Sequence, residues 1–197
     1  NINTIGKIRG NEMFFLHGGY SGIGMFASQL ANSLGARVIT TVKNERKAHF
    51  CADLGAEKVI NYQKEDFHPA VLKHTKKYGV DLILDMVGGD YFEKNIDLLT
   101  EEGRLVMIAF LRGNKVTLDL SQVMLKRILL TGSTLRPRSD IFKSEIASNL
   151  KEKVWPLLEN RKIKVYLDNI YEFNSFREAH KRMEESNHVG KIILSLD

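Results

Sequence analysis

Residues 12–24 read EMFFLHGGYSGIG. The apolar run 13–16 meets Gly18, Gly19, Gly22 and Gly24 within a few positions. A strand that ends in such a turn and feeds a helix opens a βαβ unit, and its turn can cradle an anion. The spacing has two readings. From Gly19 it is G-x-x-G-x-G, with Ser21 where the dinucleotide fingerprint places its second glycine. From Gly18 it is G-x-x-x-G-I-G, a spacing tied to a different active-site chemistry.

Outward from this turn, apolar runs and helical patterns alternate. Ile23, Phe26, Ala27, Leu30, Ala31 and Leu34 recur at three and four, and Gly35 stands at a helix stop. Residues 37–42 form a β-branched strand, and Asn44 caps a helix that ends before Gly55. Strands follow at 58–61, 81–85, 104–109 and 128–134, with short helices at 67–79, 91–99 and 121–127 between them. Six strands separated by helices predict an α/β, Rossmann-type, doubly wound parallel sheet with both faces covered. Ligands of such sheets sit beyond the carboxyl ends of the strands, where the glycine turn lies. The tail differs. Phe142, Ile146, Leu150, Val154 and Leu158 predict a long helix that Pro156 kinks or ends. A strand at 165–168, a helix at 176–183 and a last strand at 191–196 find no place in a complete six-stranded sheet.

The 197 residues suffice for one large domain or one and a half. Hydrophobic content of 43% and charged content of 27% are those of a soluble globule. The longest apolar run, 105–111, is far too short to span a bilayer, and no secretion leader is visible. Cys51 is the sole cysteine, which excludes an intrachain disulfide and a multi-cysteine zinc site; a cytoplasmic location is expected. The six histidines show no metal-ligand spacing. The net charge of +5 reads mostly as a solvated surface. No nucleic-acid signature with interleaved aromatics accompanies it, so a small phosphorylated ligand is the expected anion.

The second reading of the turn belongs to short-chain dehydrogenases, whose chemistry needs a Tyr four residues before a Lys. Four residues beyond the six tyrosines stand Gly24, Asp66, Leu82, Asn95, Ile170 and Ser175, so that reading fails. An NAD-specific site places an acid at the end of the second strand. From Ala36 to Asn44 there is none, and Lys43, Arg46 and Lys47 cluster just past Thr41. Such cations suit a 2′-phosphate and point to NADPH. A charge-assisted hydrogen bond of roughly 1.5–3 kcal/mol gives about a tenfold to hundredfold preference.

The stretches HGGYSGIG, ITTVKNERK, GAEKVINYQKEDF, VDLILDMVGGDYFEKN, GRLVMIAF, LTGSTLRPRS and EAHKRMEESNHVGKIIL, in this order, resemble zeta-crystallin-like quinone oxidoreductases. These are zinc-free members of the medium-chain dehydrogenase/reductase superfamily. The resemblance implies that one NADPH lies along these stretches. Gly19, Tyr20, Ser21, Gly22 and Ile23 would meet the pyrophosphate. Thr41, Lys47 and Tyr62 would flank the adenosine side, with Lys47 and Tyr62 at the 2′-phosphate. Val87 and Gly88 would sit by the nicotinamide-side ribose, and Phe110, Leu111, Thr134 and Leu135 would border the nicotinamide. His188 stands where the family usually has Asn, and Asn44 where it often has Ser. The implied chemistry is hydride transfer from NADPH to a quinone or an α,β-unsaturated carbonyl, or to an enoyl thioester in a sister group. It needs no metal and no catalytic side chain, because the acceptor is already electron-poor.

Family members carry a β-rich substrate domain ahead of the cofactor domain, and here only a short segment precedes the first strand. The expectation is therefore an NADPH-binding domain over 1–163 and a return segment of a mostly absent catalytic domain over 164–197. The resemblance also implies a homodimer through the edge of the sixth strand. A non-catalytic NADPH-binding protein is the alternative that the short chain leaves open.

Overall fold

A computed structural model of the chain describes residues 1–185 and 188–196. Strand β1 (Met13–Leu16) exposes no side chain, because it lies inside a six-stranded parallel sheet of order β3-β2-β1-β4-β5-β6. Its neighbours are β2 (Arg37–Val42) and β4 (Val80–Asp85), with Phe15 opposite Ile39 and Ile83. The outer strands are β3 (Lys58–Asn61), β5 (Leu99–Met107) and β6 (Leu129–Gly132). The order reverses direction between β1 and β4, which creates a crease at their carboxyl ends.

Successive residues of β1 point to opposite faces, and both faces are covered. Met13 and Phe15 join Ile39, Ile60, Ile83 and Leu105 in one core. Helices α3 (Phe67–His74) and α4 (Phe92–Leu98) close it with Phe67, Val71 and Ile96. Phe14 and Leu16 join Val38, Leu82, Leu84 and Val106 in the other core. There α1 (Gly22–Ser33) supplies Ala27 and Ala31, and the first residues supply Ile2 and Ile8. Burying each large side chain contributes roughly 1.5–3 kcal/mol, which is why near-continuous apolar strands take central places. Helix α2 (Glu45–Asp53) links β2 to β3, and Asn44 caps it by accepting the Lys47 amide at 3.0 Å. Helix α5 (Leu120–Lys126) precedes β6 and ends on Arg127 at φ 54°.

Several element ends differ from the sequence expectation by a few residues, α3 ending at His74 and β6 covering only Leu129–Gly132; three places have a visible cause. β5 starts at Leu99, not at 104, because Leu99 pairs with Val80 before a register shift brings Arg104 opposite Leu82. The Thr100 hydroxyl, 3.3 Å from Asp81, holds that extension. The long helix is two, α6 (Asp140–Lys153) and α7 (Trp155–Glu159), with Pro156 in the first turn of α7. Pro156 has no N–H to continue the α6 ladder. Strand β7 (Leu167–Glu172) starts two residues late and pairs in parallel with β8 (Lys191–Ser195) across α8 (Phe176–Glu184). Tyr166 is used otherwise: its carbonyl accepts the Lys191 amide at 2.9 Å, and its ring meets Phe50 edge-on at 4.8 Å.

This small sheet docks on the first helix. The Gln29 side chain grips Lys164 like a neighbouring strand, donating to its carbonyl at 3.1 Å and accepting its amide at 2.8 Å. Gly190 bridges Ser21 in a parallel pair.

Candidate functional site

Because the six strands are parallel, the loops after their carboxyl ends share one edge. The glycine turn follows β1 and is held from below by β2. Gly18, at φ 70°, donates to Thr41 Oγ1 at 3.3 Å, and Gly19 donates to the Thr41 carbonyl at 3.2 Å. A side chain at Gly19 would collide with Thr40 Oγ1 at 2.3 Å, so the turn lies flat on β2. Ser21 Oγ accepts the Gly24 amide at 2.9 Å and caps α1. The amides of the first turn, Gly22 and Ile23 among them, then face outward.

Beneath the turn lies a buried polar network. His17 Nε2 is 3.1 Å from Asn95 Oδ1, which only accepts, so Nε2 carries the proton. Burial pushes the His17 pKa down, against Asn95 and Asp85, and the neutral ring leaves Nδ1 as an acceptor. The Thr41 hydroxyl, 3.3 Å away, donates to it and keeps its lone pairs for Gly18. Across the crease, Asp85 Oδ1 accepts the Val87 amide at 2.7 Å and the Gly88 amide at 3.2 Å. Asp85 Oδ2 and Asn95 Nδ2, both fully buried, have no hydrogen-bond partner among the described residues.

The sequence-derived residues fall as follows. Val87 and Gly88 lie in the loop after β4, and Phe110 and Leu111 in the loop after β5. The two loops are zipped by Leu111 to Met86 at 3.1 Å and Arg112 to Val87 at 2.8 Å. Thr134 and Leu135 are exposed just past β6, where Ser133 still bonds the Met107 carbonyl. Tyr62 follows β3 and lines an open cavity of about 360 Å³ with Phe67, Tyr91 and Lys94. Burial raises its phenol pKa, with Tyr20 and Tyr91 adding to the shift. His188 lies two residues before Gly190, which bridges Ser21. Lys47 is not in solvent: it is 2% exposed, and its Nζ stands 3.5 Å from the centre of the Tyr20 ring. Arg46, beside it, is exposed.

One residue escaped the sequence reading. Lys191, the first residue of β8, lays its side chain across Gly22, where an added Cβ would meet Nζ at 2.8 Å. It thus puts a cation at the start of α1. The signal was the Val-Gly-Lys stretch, but only the docking of the tail reveals its target. Among the described residues no three His, Cys, Asp or Glu side chains group to hold a metal ion. Burial pushes the Cys51 thiol up to about 12, away from the thiolate that zinc takes.

Residues 22–152 match the family described as zinc-binding dehydrogenase. A quinone oxidoreductase of Salmonella typhimurium is 29% identical over 192 residues, which cover 95% of this chain and 58% of that protein. The structure of Escherichia coli quinone oxidoreductase complexed with NADPH superposes with a TM-score of 0.86 at 27% identity, covering 98% of this chain and 60% of that one. The CurK enoyl reductase structure superposes with a TM-score of 0.80 at 25% identity, covering 98% and 57%. The chain spans about half the length of the dehydrogenase and quinone oxidoreductase relatives it matches, 52% and 47% of two others, and 9% of a polyketide synthase subunit of Mycobacterium tuberculosis.

Proposed function

The chain belongs to the zinc-binding dehydrogenase family, as a quinone-oxidoreductase-like cofactor half, and on that premise we propose that it binds NADPH for hydride transfer to a quinone or an α,β-unsaturated carbonyl. The carrying observation is the convergence of the glycine turn and the loops after β3, β4, β5 and β6 on one sheet edge, with the turn at the crease. The residues fit a dinucleotide. Bare glycines let an anion approach the backbone, and Lys191 and the α1 amides would hold a pyrophosphate. The Ser21 oxygen is engaged as a cap, which leaves its O–H to donate. Gly19, Tyr20, Gly22, Ile23 and Thr41 shape this cradle, and Lys47 and Tyr62 flank the 2′-phosphate. Val87, Gly88, Phe110, Leu111, Thr134, Leu135 and His188 would border the nicotinamide half.

When bound, NADPH supplies the hydride. The protein orients the ring and excludes water with the apolar side chains of the loops after β5 and β6. The family name implies zinc, but the donor set here does not fit it, and no step is derived through a metal. The enoyl reductase reading shares this cofactor half and is favoured by the likeness to CurK.

We read residues 164–197 as the return segment of a substrate domain, supported by the exposed apolar Leu167, Ile170 and Ile193 of the small sheet and by Phe173 just past β7. A homodimer through β6, an outer strand of the sheet, belongs to the same reading.

The test is titration with NADPH and NADH followed by nicotinamide fluorescence, then a simple naphthoquinone or a crotonyl thioester as acceptor. The expected result is saturable NADPH binding, at least tenfold tighter than NADH. Absence of binding to either overturns the cofactor; turnover of the thioester but not the quinone selects the second reading.

A further inference from the structure

Resting on the cofactor reading above, we propose that Tyr20 is a lid over Lys47: its ring closes on the ammonium in the ligand-free protein, and a 2′-phosphate displaces it. Tyr20 stands in the middle of the glycine turn, between Gly19 and Ser21. A bulky side chain there must leave the turn sideways, since the backbone itself faces the anion. It leaves over the start of α2, where Lys47 Nζ lies 3.5 Å from the ring centre.

Lysines are almost never fully buried unless paired. Lys47 is 2% exposed although Asn44, Glu45 and Arg46, its neighbours at the helix start, are exposed. With the ring at 3.5 Å, no phosphate oxygen fits between ring and ammonium, so Lys47 cannot read a ligand from that side while the ring stays. A cation–ring contact is weaker than a charge-assisted hydrogen bond to a doubly charged phosphate, so the phosphate takes the place of the ring. NADH, with a hydroxyl in that place, offers no such exchange. The lid thus links the two ends of the site, because the residue that covers the phosphate reader also belongs to the pyrophosphate turn. The low pKa of Lys47 agrees with an ammonium shielded from water.

Two readouts test this. The first is labelling of Lys47 by trinitrobenzenesulfonate, followed by mass spectrometry, without cofactor. The expected result is slow labelling in the wild type and in Tyr20→Phe, which keeps the ring, and at least tenfold faster labelling in Tyr20→Ala. The second is cofactor affinity. Tyr20→Ala is expected to raise the affinity for NADPH relative to NADH by roughly twofold to thirtyfold, the range a cation–ring contact spans, because any effect on the pyrophosphate turn is common to both cofactors and cancels in the ratio. Equal protection of Lys47 in Tyr20→Ala overturns the lid, as does a lower NADPH-to-NADH affinity ratio, which would mean that the ring supports the 2′-phosphate site instead of covering it. If no variant binds NADPH, displacement by the phosphate falls with the cofactor reading, while labelling still reports whether the ring covers Lys47.

Discussion

At Lys47, burial lowers the ammonium pKa from the usual 10.5 to about 8, with Lys43, Arg182 and Arg46 adding to it and Asp168 opposing it. The folded value lies below the unfolded one, so protonation favours the unfolded chain. This cost is complete below pH 8 and is relieved as the pH rises toward 10.5. Ligand binding has the opposite sign, because only the charged form attracts a 2′-phosphate. The preference for NADPH over NADH is therefore expected to fall as pH rises through about 8, in parallel titrations at neutral and alkaline pH. At Thr41, the hydroxyl joins the neutral His17 ring to the Gly18 amide. Thr41→Val keeps the shape and removes the bridge, and NADPH affinity should drop about tenfold, as for one lost buried hydrogen bond. Thr41→Ser should keep it; equal losses in both variants would show that the methyl, not the hydroxyl, sets the turn. Thr41 and Lys47 stood out in the sequence as candidate site residues from their place at the end of the second strand and just past it. The ring over Lys47 and the reach of Lys191 to Gly22 did not, since neither contact is local in sequence.

The element that most needs explanation is the tail. Its strand-helix-strand pattern was readable, yet β7 lies two residues later than its apolar letters suggest. Tyr166 looks like strand but serves as a docking residue, and β7 proper is largely exposed, so its alternation is weak. Docking depends on Gln29, on the middle of α1, whose amide grips the Lys164 backbone at both ends. Gln29→Leu loses both bonds and leaves two backbone groups without partners. The expected cost is about 1–3 kcal/mol, or a fall in Tm of several degrees for a chain of this size. Amide exchange should quicken across 164–196 while β1 and β4 stay protected. Uniform acceleration throughout would mean that the tail and the main sheet unfold as one unit. The helix-start signal that was read, Asn44, was more dependable: its side chain caps α2, and Ser21, Asp66 and Ser139 cap their helices in the same way. A cap acts within four residues, so the sequence carries it directly.

For the whole molecule, β6 leaves one side of its backbone unpaired at the sheet edge, beside the exposed Leu120, Met124, Leu125 and Leu129. An apolar edge of this kind is a template for a second strand. The expected outcome is a dimer by light scattering at micromolar concentration, shifted toward monomer by Leu129→Glu. A monomer in the wild type would remove the proposal. No helix among the described residues is long and apolar enough to cross a membrane. The core around Phe15 reaches from Ile60 in β3 to Leu130 in β6, the core around Phe14 spans β2, β1, β4 and β5, and a part-buried Glu12–Arg104 pair at 2.6 Å ties the start of β1 to β5.

The sequence by itself determined the alternation of strands and helices, the six-stranded parallel architecture, the place of the glycine turn and the loops that carry candidate ligand residues. Those features follow from periods of two and 3.6 and from cap and turn chemistry, all of which act over a few residues. Only the tertiary structure decided how the loops close on one another: Leu111 zipped to Met86, Tyr20 over Lys47, and the tail folded back so that Lys191 covers Gly22. These contacts join residues far apart in the chain, and their geometry depends on strand order, register and docking angle, which no local pattern encodes.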